Sequence, residues 1–259
     1  GADWDATTGR VRITSGSGLF VLHPGLLVSA TVTGGSFGCL RRSVLGETIQ
    51  GADNGSSVAS VEGTLVHELF QAIMLARGQD PPAAVELKAK AILKKQVEAL
   101  YQVGKEEAEM LAAMLKRVPE LTAWVQDFFG PEGGSLAELG GAAPGERASI
   151  ADVVDIEDMV QSASLGLKGR FDAVVRGRLV RGRGGGASQA TEVPLEIKTG
   201  RWRDATEHRA QVILYSLLLA DRHGSDDAGD NKSHLGWGLL TYTSTDRDEP
   251  STSAVQPTL

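Results

Sequence analysis

Three charged side chains have the types and spacing that phosphodiester hydrolysis requires. Glu196 and Lys198 are two residues apart in VPLEIKTG, so on a strand their side chains share one face. Asp172 lies in GRFDAVV, and the loop between the two segments would bring its strand beside that of Glu196. Two carboxylates can bind Mg²⁺ or Mn²⁺, which lowers the pKa of a bound water. The ammonium of Lys198 can orient this water or stabilise the pentavalent transition state.

The segments around these residues alternate as strands do. In VPLEIKTG, three aliphatic residues alternate with Glu196 and Lys198 and form an apolar face. In GRFDAVV, alternation predicts Asp172 and Val174 on one face and Phe171 on the other. An acid and a lysine on one strand face are also typical of solvated sheet surface, so these residues alone leave that alternative open.

Two predicted helices carry polar residues spaced i and i+4. The apolar stripe of residues 61–76 recurs at three- and four-residue steps, and His67 and Gln71 lie at its border. Gly63, one turn earlier, would permit close approach to a neighbour. Gln211 and Tyr215 repeat the spacing in EHRAQVILYSLLLADR, a predicted buried helix. For His67 alone, a buried hydrogen-bonded histidine is the competing interpretation.

The rest of the chain predicts helices first and strands later. Residues 1–58 form an entry with strand-like pieces in GLFVLHPGLLVSATVT, followed by a short helix in CLRRSVLGE. Residues 82–128 are predicted to be a helical insertion or lid, and the Gly-rich residues 130–146 a flexible connector. Strands follow in SIADVVDIED, LGLKGRFDAVVRGRLV and LGWGLLTYTST. This order favours an α/β or α+β core.

The composition limits the class of partner. The formal net charge of −7 argues against a general polyanion binder, and no apolar run approaches the ~18 residues that span a membrane. The single cysteine rules out an internal disulfide and favours an intracellular compartment. Residues 168–183 are locally basic, with six cations and one acid. Both a solvated hairpin and a groove that binds a nucleic-acid backbone remain open.

Four motifs occur in an order that resembles a known superfamily. GTLVHELFQ, GRFDA, PLEIKTG and QVILYSLLL are similar to the motifs of RecB-like nucleases of the PD-(D/E)XK type. HPGLLVSATV and CLRRSVLGE extend the likeness to the nuclease domains of eukaryotic DNA-replication helicase/nucleases that trim Okazaki flaps. The resemblance covers residues 19–77 and 150–243. It implies a restriction-endonuclease-like fold, a mixed sheet flanked by helices, in one nuclease domain over residues 1–259, with the helical insertion and connector at 80–149.

The resemblance assigns roles to the residues identified above. Asp172 and Glu196 would bind the catalytic Mg²⁺ or Mn²⁺, with His67 and the backbone carbonyl of Ile197 as further ligands. Lys198 would position the attacking water.

Other residues would line this site or bind DNA. Gln211 and Tyr215 would contact the DNA or support Lys198. Acidic residues at 152–158 are typical of a solvated strand edge, although Glu157 is a candidate to assist a second metal. The expected DNA-binding cations are Arg41, Arg42, Lys168, Arg170 and Arg176.

Cys39 has two interpretations. As a bare residue it is a small buried hydrophobe. The resemblance makes it the first of four ligands of a [4Fe–4S] cluster, whose other three cysteines are absent from this chain. No GxxxxGK[ST] motif is present either. We therefore expect the chain to be an excerpt, with the cluster and an ATP-dependent helicase domain present only in the full-length polypeptide.

The expected function is that of a metal-dependent endo- or exonuclease of single-stranded DNA. By resemblance, its substrates are 5′ flaps and resected ends coated by a single-strand-binding protein, in the nucleus with the mitochondrion as a second compartment. No membrane partner is expected. Two alternatives remain: a non-catalytic DNA-binding or docking module that retains the fold, and a RecB-like exonuclease of bacterial recombination or CRISPR systems.

Overall fold

A mixed sheet of seven strands forms the centre of the protein in a computed structural model. The structure describes residues 26–49, 57–129, 147–180, 189–201, 205–223, 236–244 and 251–255, and the strand backbone at 3–5, 10–12 and 137–138. The strands of the sheet are β3 (Val28–Ser29), β4 (Ala137–Glu138), β5 (Arg147–Ser162), β6 (Leu167–Val180), β7 (Thr191–Arg201), β8 (Gly238–Ser244) and β9 (Ser251–Val255). Two further strands, β1 (Asp3–Asp5) and β2 (Arg10–Arg12), pair only with each other.

The strand order is β4-β5-β6-β7-β8-β9, and the short strand β3 pairs with β6. The β7–β8 and β3–β6 pairs are parallel, and the others are antiparallel. A parallel pair needs a crossover connection, and a helix between β7 and β8 supplies it. The described residues form the helices α1 (Ala30–Thr48), α2 (Val58–Leu75), α3 (Pro82–Lys95), α4 (Val97–Gln102), α5 (Glu107–Phe128) and α6 (Thr206–His223). The predicted class, a mixed sheet flanked by helices, is confirmed.

The main apolar core lies between the sheet and α2, α3 and α5. The predicted stripe of α2 is confirmed, because Leu65 and Leu69 are fully buried in this cluster. The apolar residues of β7 also face it, with Leu195 fully buried. A second cluster packs α6 against β6, and a third packs α6 against β8 and β9.

The predicted helices over 82–128 are confirmed, and α5 is part of the main core rather than a separate lid. Met114 and Leu121 are fully buried in the cluster that contains residues of β7 and β8. The indole N–H of Trp124 donates to Thr252 Oγ1 of β9 at 2.7 Å. The helical segment and the last strand therefore stabilise each other.

The prediction of strand structure throughout VSATVT is wrong. Only Val28–Ser29 is extended, and α1 begins at Ala30 because the Ser29 hydroxyl accepts the N–H of Thr31 as an N-cap. The helix predicted in CLRRSVLGE is the second half of α1. Strand β9 lies in a tail to which the sequence assigned no element.

Several sequence predictions lie outside the described residues. These are the entry before residue 26 apart from 3–5 and 10–12, the connector 130–146 apart from 137–138, and most of the loop 181–191. Over the ranges that the structure describes, no helix is long and apolar enough to cross a membrane.

Candidate active site

Asp172 lies where the ladder between β6 and β7 ends. The paired stretch of the two strands reaches Ala173 and Leu195. One residue further, Asp172 Oδ2 accepts the backbone N–H of Ile197 at 2.6 Å. A side chain therefore takes the place of a backbone partner, which holds the carboxylate between the two strands. The prediction that Asp172 and Glu196 lie on neighbouring strands is confirmed.

The simple alternation predicted for β6 is wrong at this point. Phe171 and Val174, predicted on opposite faces, belong to the same apolar cluster beside α6. Ala173 belongs to the main cluster beside α2 and α5. The change of face occurs at Asp172, opposite Glu157 of β5, whose backbone has a φ of +55°. An irregular backbone here turns the Asp172 carboxylate toward α2.

Glu196 is buried, which excludes a solvated strand face. Its side chain is 4% exposed, and its Oε1 accepts from Lys198 Nζ at 2.6 Å. Burial raises the pKa of Glu196 to about 8, the negative charge of Asp172 adds to the rise, and Lys198 opposes it. Among the described residues, Oε2 of Glu196 is a buried oxygen without a hydrogen-bond partner.

Gln211 and Tyr215 form the α6 side of the site, as their i, i+4 spacing predicts. Gln211 Oε1 accepts from Lys198 Nζ at 3.1 Å, and Gln211 Nε2 lies 2.9 Å from both Glu196 Oε1 and the Tyr215 hydroxyl. Tyr215 donates to the backbone oxygen of Arg170 at 2.8 Å. Burial raises the pKa of Tyr215, so its hydroxyl stays neutral. Of the two predicted roles, this geometry favours support of Lys198.

His67 projects from α2 toward the Asp172 carboxylate. Its Nε2 lies 3.1 Å from Asp172 Oδ1. Burial alone would lower the pKa of His67, but the hydrogen bond and charge of Asp172, with the charges of Glu157 and Glu196, raise it. The close approach predicted at Gly63 is confirmed, because a Cβ there would lie 2.8 Å from Thr199 Oγ1 of β7.

Glu157 is a member of the site that the sequence indicated only weakly. Its Oε1 accepts from Gln71 Nε2 at 2.6 Å and lies 3.7 Å from His67 Nδ1. Ligand atoms of His67, Glu157 and Asp172 all lie within 4.8 Å of one another. The available signal was the acidic run at 152–158, but the positive φ that selects Glu157 from this run is not visible in a sequence.

The donor set fits a divalent cation. Carboxylate oxygens of β5 and β6 and one imidazole of α2 converge near the point where the β6–β7 ladder ends, and hard cations such as Mg²⁺ and Mn²⁺ prefer oxygen ligands. The unpartnered Oε2 of Glu196 is the strongest single sign, because a buried carboxylate oxygen normally has a partner. The neighbouring carboxylate of Asp172 also repels Glu196, and a cation would relieve that repulsion.

The basic residues of β6 do not form one stripe. Arg170 lies on the side of α2, where Nη1 is 3.9 Å from Glu157 Oε2. Arg176 alternates with Val175 of the main cluster and therefore lies on the opposite face. The reason is the change of face at Asp172. Arg181 and Arg183 lie outside the described residues. The predicted DNA-binding cations are all exposed: Arg41, Arg42, Lys168, Arg170 and Arg176.

Cys39 is exposed, so the prediction of a buried hydrophobe is wrong. Its backbone, with φ −162° and ψ 101°, interrupts the helical geometry of α1. The role in an iron–sulfur cluster stays a prediction.

A mixed sheet that carries an aspartate, a Glu-x-Lys strand and a facing helical histidine is the arrangement of PD-(D/E)XK nucleases. The model of the family described as DNA replication factor Dna2 matches residues 2–177. Because this match covers more than half of the chain, the chain belongs to the Dna2 family.

Named relatives agree with the family match. The chain is 30% identical over 248 residues to the DNA replication ATP-dependent helicase/nuclease JHS1 of Arabidopsis thaliana, covering 93% of this chain and 18% of the relative. It is 32% identical over 235 residues to DNA replication ATP-dependent helicase/nuclease DNA2 of Gallus gallus, covering 87% of this chain and 23% of the relative. The chain is also 32% identical to the Schizosaccharomyces pombe protein of that name, over 82% of this chain and 14% of the relative. The chain therefore spans less than a quarter of the length of these relatives.

Proposed function

We propose that this chain is a metal-dependent nuclease domain that hydrolyses phosphodiester bonds of single-stranded DNA. The observation that carries the proposal is the buried Glu196, which bonds Lys198 and lies on the strand beside Asp172, with one of its oxygens left without a partner. A solvated surface would not bury a carboxylate at this cost.

The metal ligands would be Asp172, Glu196, His67 and the Ile197 carbonyl. The N–H and C=O of one residue in an extended strand point to the same edge, so the Ile197 carbonyl lies at the edge that faces Asp172. Glu157 is a further donor at the same place. When bound, Mg²⁺ or Mn²⁺ supplies a water of lowered pKa and neutralises charge on the phosphate.

Lys198 would position the attacking water and stabilise the charge that develops on phosphate oxygens. Its ammonium has three donors, of which Glu196 Oε1 and Gln211 Oε1 accept two. These two bonds fix the nitrogen beside the carboxylates and leave a third N–H for the water or the phosphate. The exposed cations Lys168, Arg170, Arg176, Arg41 and Arg42 would bind the DNA backbone from separate faces.

The wider role is proposed from the relatives, whose names describe DNA replication helicase/nucleases. We infer 5′ flaps and resected ends, coated by a single-strand-binding protein, as substrates. A helicase domain and a [4Fe–4S] cluster would belong to the same full-length polypeptide, in the nucleus and in the mitochondrion. The relatives above are eukaryotic, which favours this role over bacterial recombination or CRISPR-type cleavage.

Cleavage of a single-stranded oligonucleotide and a 5′-flap DNA in Mg²⁺ tests the proposal. Asp172→Ala should lower the rate at least about 100-fold, because it removes a metal ligand. Asp155→Asn is the matched control: this exposed carboxylate of β5 accepts only the adjacent Ile156 N–H among its resolved partners, and the amide oxygen can replace it. Titration with Mn²⁺ should show binding to wild type and Asp155→Asn and its loss in Asp172→Ala.

Equal cleavage by wild type and Asp172→Ala would contradict the assignment. Flap binding without metal-dependent cleavage by the full-length protein would favour a non-catalytic module.

A further inference from the structure

Thr31 of α1 reaches the site from a helix that the catalytic motifs do not include. Its Oγ1 lies 3.2 Å from Gln211 Nε2, although the two residues are 180 positions apart. Gln211 is buried, whereas Thr31 is on the exposed first turn of α1. The hydroxyl therefore lies at the outer end of the network that begins at Glu196 and Lys198.

The carboxamide of Gln211 works in only one orientation. Lys198 offers donors alone, so Gln211 must present its oxygen to Nζ and its NH₂ group to the other side. That NH₂ faces Glu196 Oε1, the Tyr215 hydroxyl and the Thr31 hydroxyl. A flipped amide would oppose its NH₂ to the lysine ammonium and its oxygen to Glu196 Oε1, so Lys198 and Glu196 set the orientation. The Thr31 hydroxyl is a further partner that restrains the position of the NH₂ group.

The start of α1 is fixed over α6 by its backbone. Strand β3 pairs Val28 with Leu167 and Ser29 with Lys168 of β6, immediately before the helix. One turn after Thr31, a Cβ at Gly34 would lie 2.8 Å from the Glu207 carbonyl. Only glycine allows the two helices to approach this closely, which places the Thr31 hydroxyl within reach of Gln211.

We propose that Thr31 is a positioning residue that restrains the Gln211 carboxamide in the position that places Lys198 for the reaction. The proposal deepens the proposed nuclease function and depends on it only for the kinetic consequence. The Thr31 hydroxyl bonds Gln211 and also the Tyr215 side chain, which is itself bonded to Gln211. Its effect on Lys198 therefore passes through Gln211, the residue of this pair that bonds Lys198.

Three variants of α1 distinguish a role of Thr31 in positioning Gln211 from a general effect on the structure of the helix. Thr31→Val removes the hydroxyl at nearly constant shape, and Thr31→Ser restores it. Thr33→Val is the matched control, because the Thr33 hydroxyl donates to the Ser29 backbone oxygen and not to the site. With Mg²⁺ and a single-stranded oligonucleotide, Thr31→Val should lower kcat about 3- to 10-fold at unchanged KM, the range of one neutral hydrogen bond. Thr31→Ser should recover most of the loss, and Thr33→Val should match wild type.

Two measurements decide whether the effect passes through Gln211. In a Gln211→Ala background, Thr31→Val should cause no additional loss of kcat. In ¹⁵N-correlated NMR spectra, the side-chain amide signals of Gln211, assigned by their loss in Gln211→Ala, should shift in Thr31→Val and not in Thr33→Val.

Three outcomes would overturn the proposal: unchanged Gln211 signals in Thr31→Val, a rise in KM at constant kcat, or an equal loss of kcat with and without Gln211. If wild type does not cleave DNA, the proposed nuclease function fails, while the NMR comparison still decides whether Thr31 holds Gln211.

Discussion

At the scale of single residues, the site brings two carboxylates close together, and the neighbouring side chains compensate only part of their negative charge. Glu196 is buried beside a second carboxylate, and the Lys198 ammonium compensates part of that charge. Asp172 accepts the backbone N–H of Ile197 and lies 3.1 Å from His67 Nε2. Such an arrangement is costly for folding, and binding of a divalent ion would make it favourable.

A substitution of Lys198 should separate its role in cleavage from the role of the metal ligands in Mn²⁺ binding. Lys198→Met keeps the length of the side chain and removes its charge, so cleavage should fall at least about 100-fold while Mn²⁺ still binds. Cleavage kinetics and calorimetric Mn²⁺ titration of the same sample measure the two effects. Loss of Mn²⁺ binding together with activity would show that Lys198 maintains the ligand geometry, and cleavage within threefold of wild type would remove it from the mechanism.

At the scale of elements, α1, α2 and α6 are placed by close backbone approaches. Gly63 brings α2 against Thr199 of β7, and Gly34 brings α1 against α6. Gly169 of β6 does the same for α6, since a Cβ there would lie 2.8 Å from the Tyr215 ring. Gly63 and Gly169 therefore determine how near the helices that carry His67 and Gln211 come to the strands, and Gly34 determines how near α1 comes to α6.

Gly34→Ala should destabilise the fold by about 1–3 kcal/mol, because the new methyl group meets the rigid backbone of α6. Gly46→Ala is the control on the same helix: its Cβ would meet nothing within 4 Å, and removal of a helical glycine should stabilise the protein by about 0.5–1 kcal/mol. Urea unfolding measures both free energies. Equal effects of the two substitutions would contradict the close α1–α6 contact.

At the scale of the whole molecule, one core joins the helical segment to the sheet. Trp124 of α5 packs against Phe70 of α2 with ring centroids 4.9 Å apart, and its N–H reaches Thr252 of β9. Thr252 also exchanges a hydrogen bond with Thr241 of β8 at 3.0 Å. Strand β9 is thus the edge of the sheet next to β8, and the hydrogen bond of Thr252 to Trp124 connects it to α5.

Thr252→Val should cost about 1–3 kcal/mol of unfolding free energy, because it leaves the buried Trp124 N–H without an acceptor. Ser253→Ala, on the neighbouring and less buried position of β9, should change the stability by less than about 0.5 kcal/mol. Thermal unfolding followed by tryptophan fluorescence compares them. If Thr252→Val left the unfolding free energy unchanged, β9 would not be part of the cooperative fold.

Patterns within a single element were readable from the sequence. The stripe of α2, the alternation of β7 and the length of α6 are periodicities over 10–20 residues, and each is confirmed. The order of the motifs pointed to the family, and the i, i+4 pairs placed His67 and Gln211 on the correct faces. Where the pattern was weak, at VSATVT and in the tail, the predictions were wrong or missing.

The sequence by itself thus determined the strongly periodic elements, the family and the chemical types at the site. The tertiary structure alone decided that Asp172 turns between two strands, that Glu157 joins His67, and that Thr31 meets Gln211. The physical reason is the range of the interactions. Periodicity depends on neighbours along the chain, whereas a strand end, a positive φ and a contact across 180 residues depend on how distant segments pack.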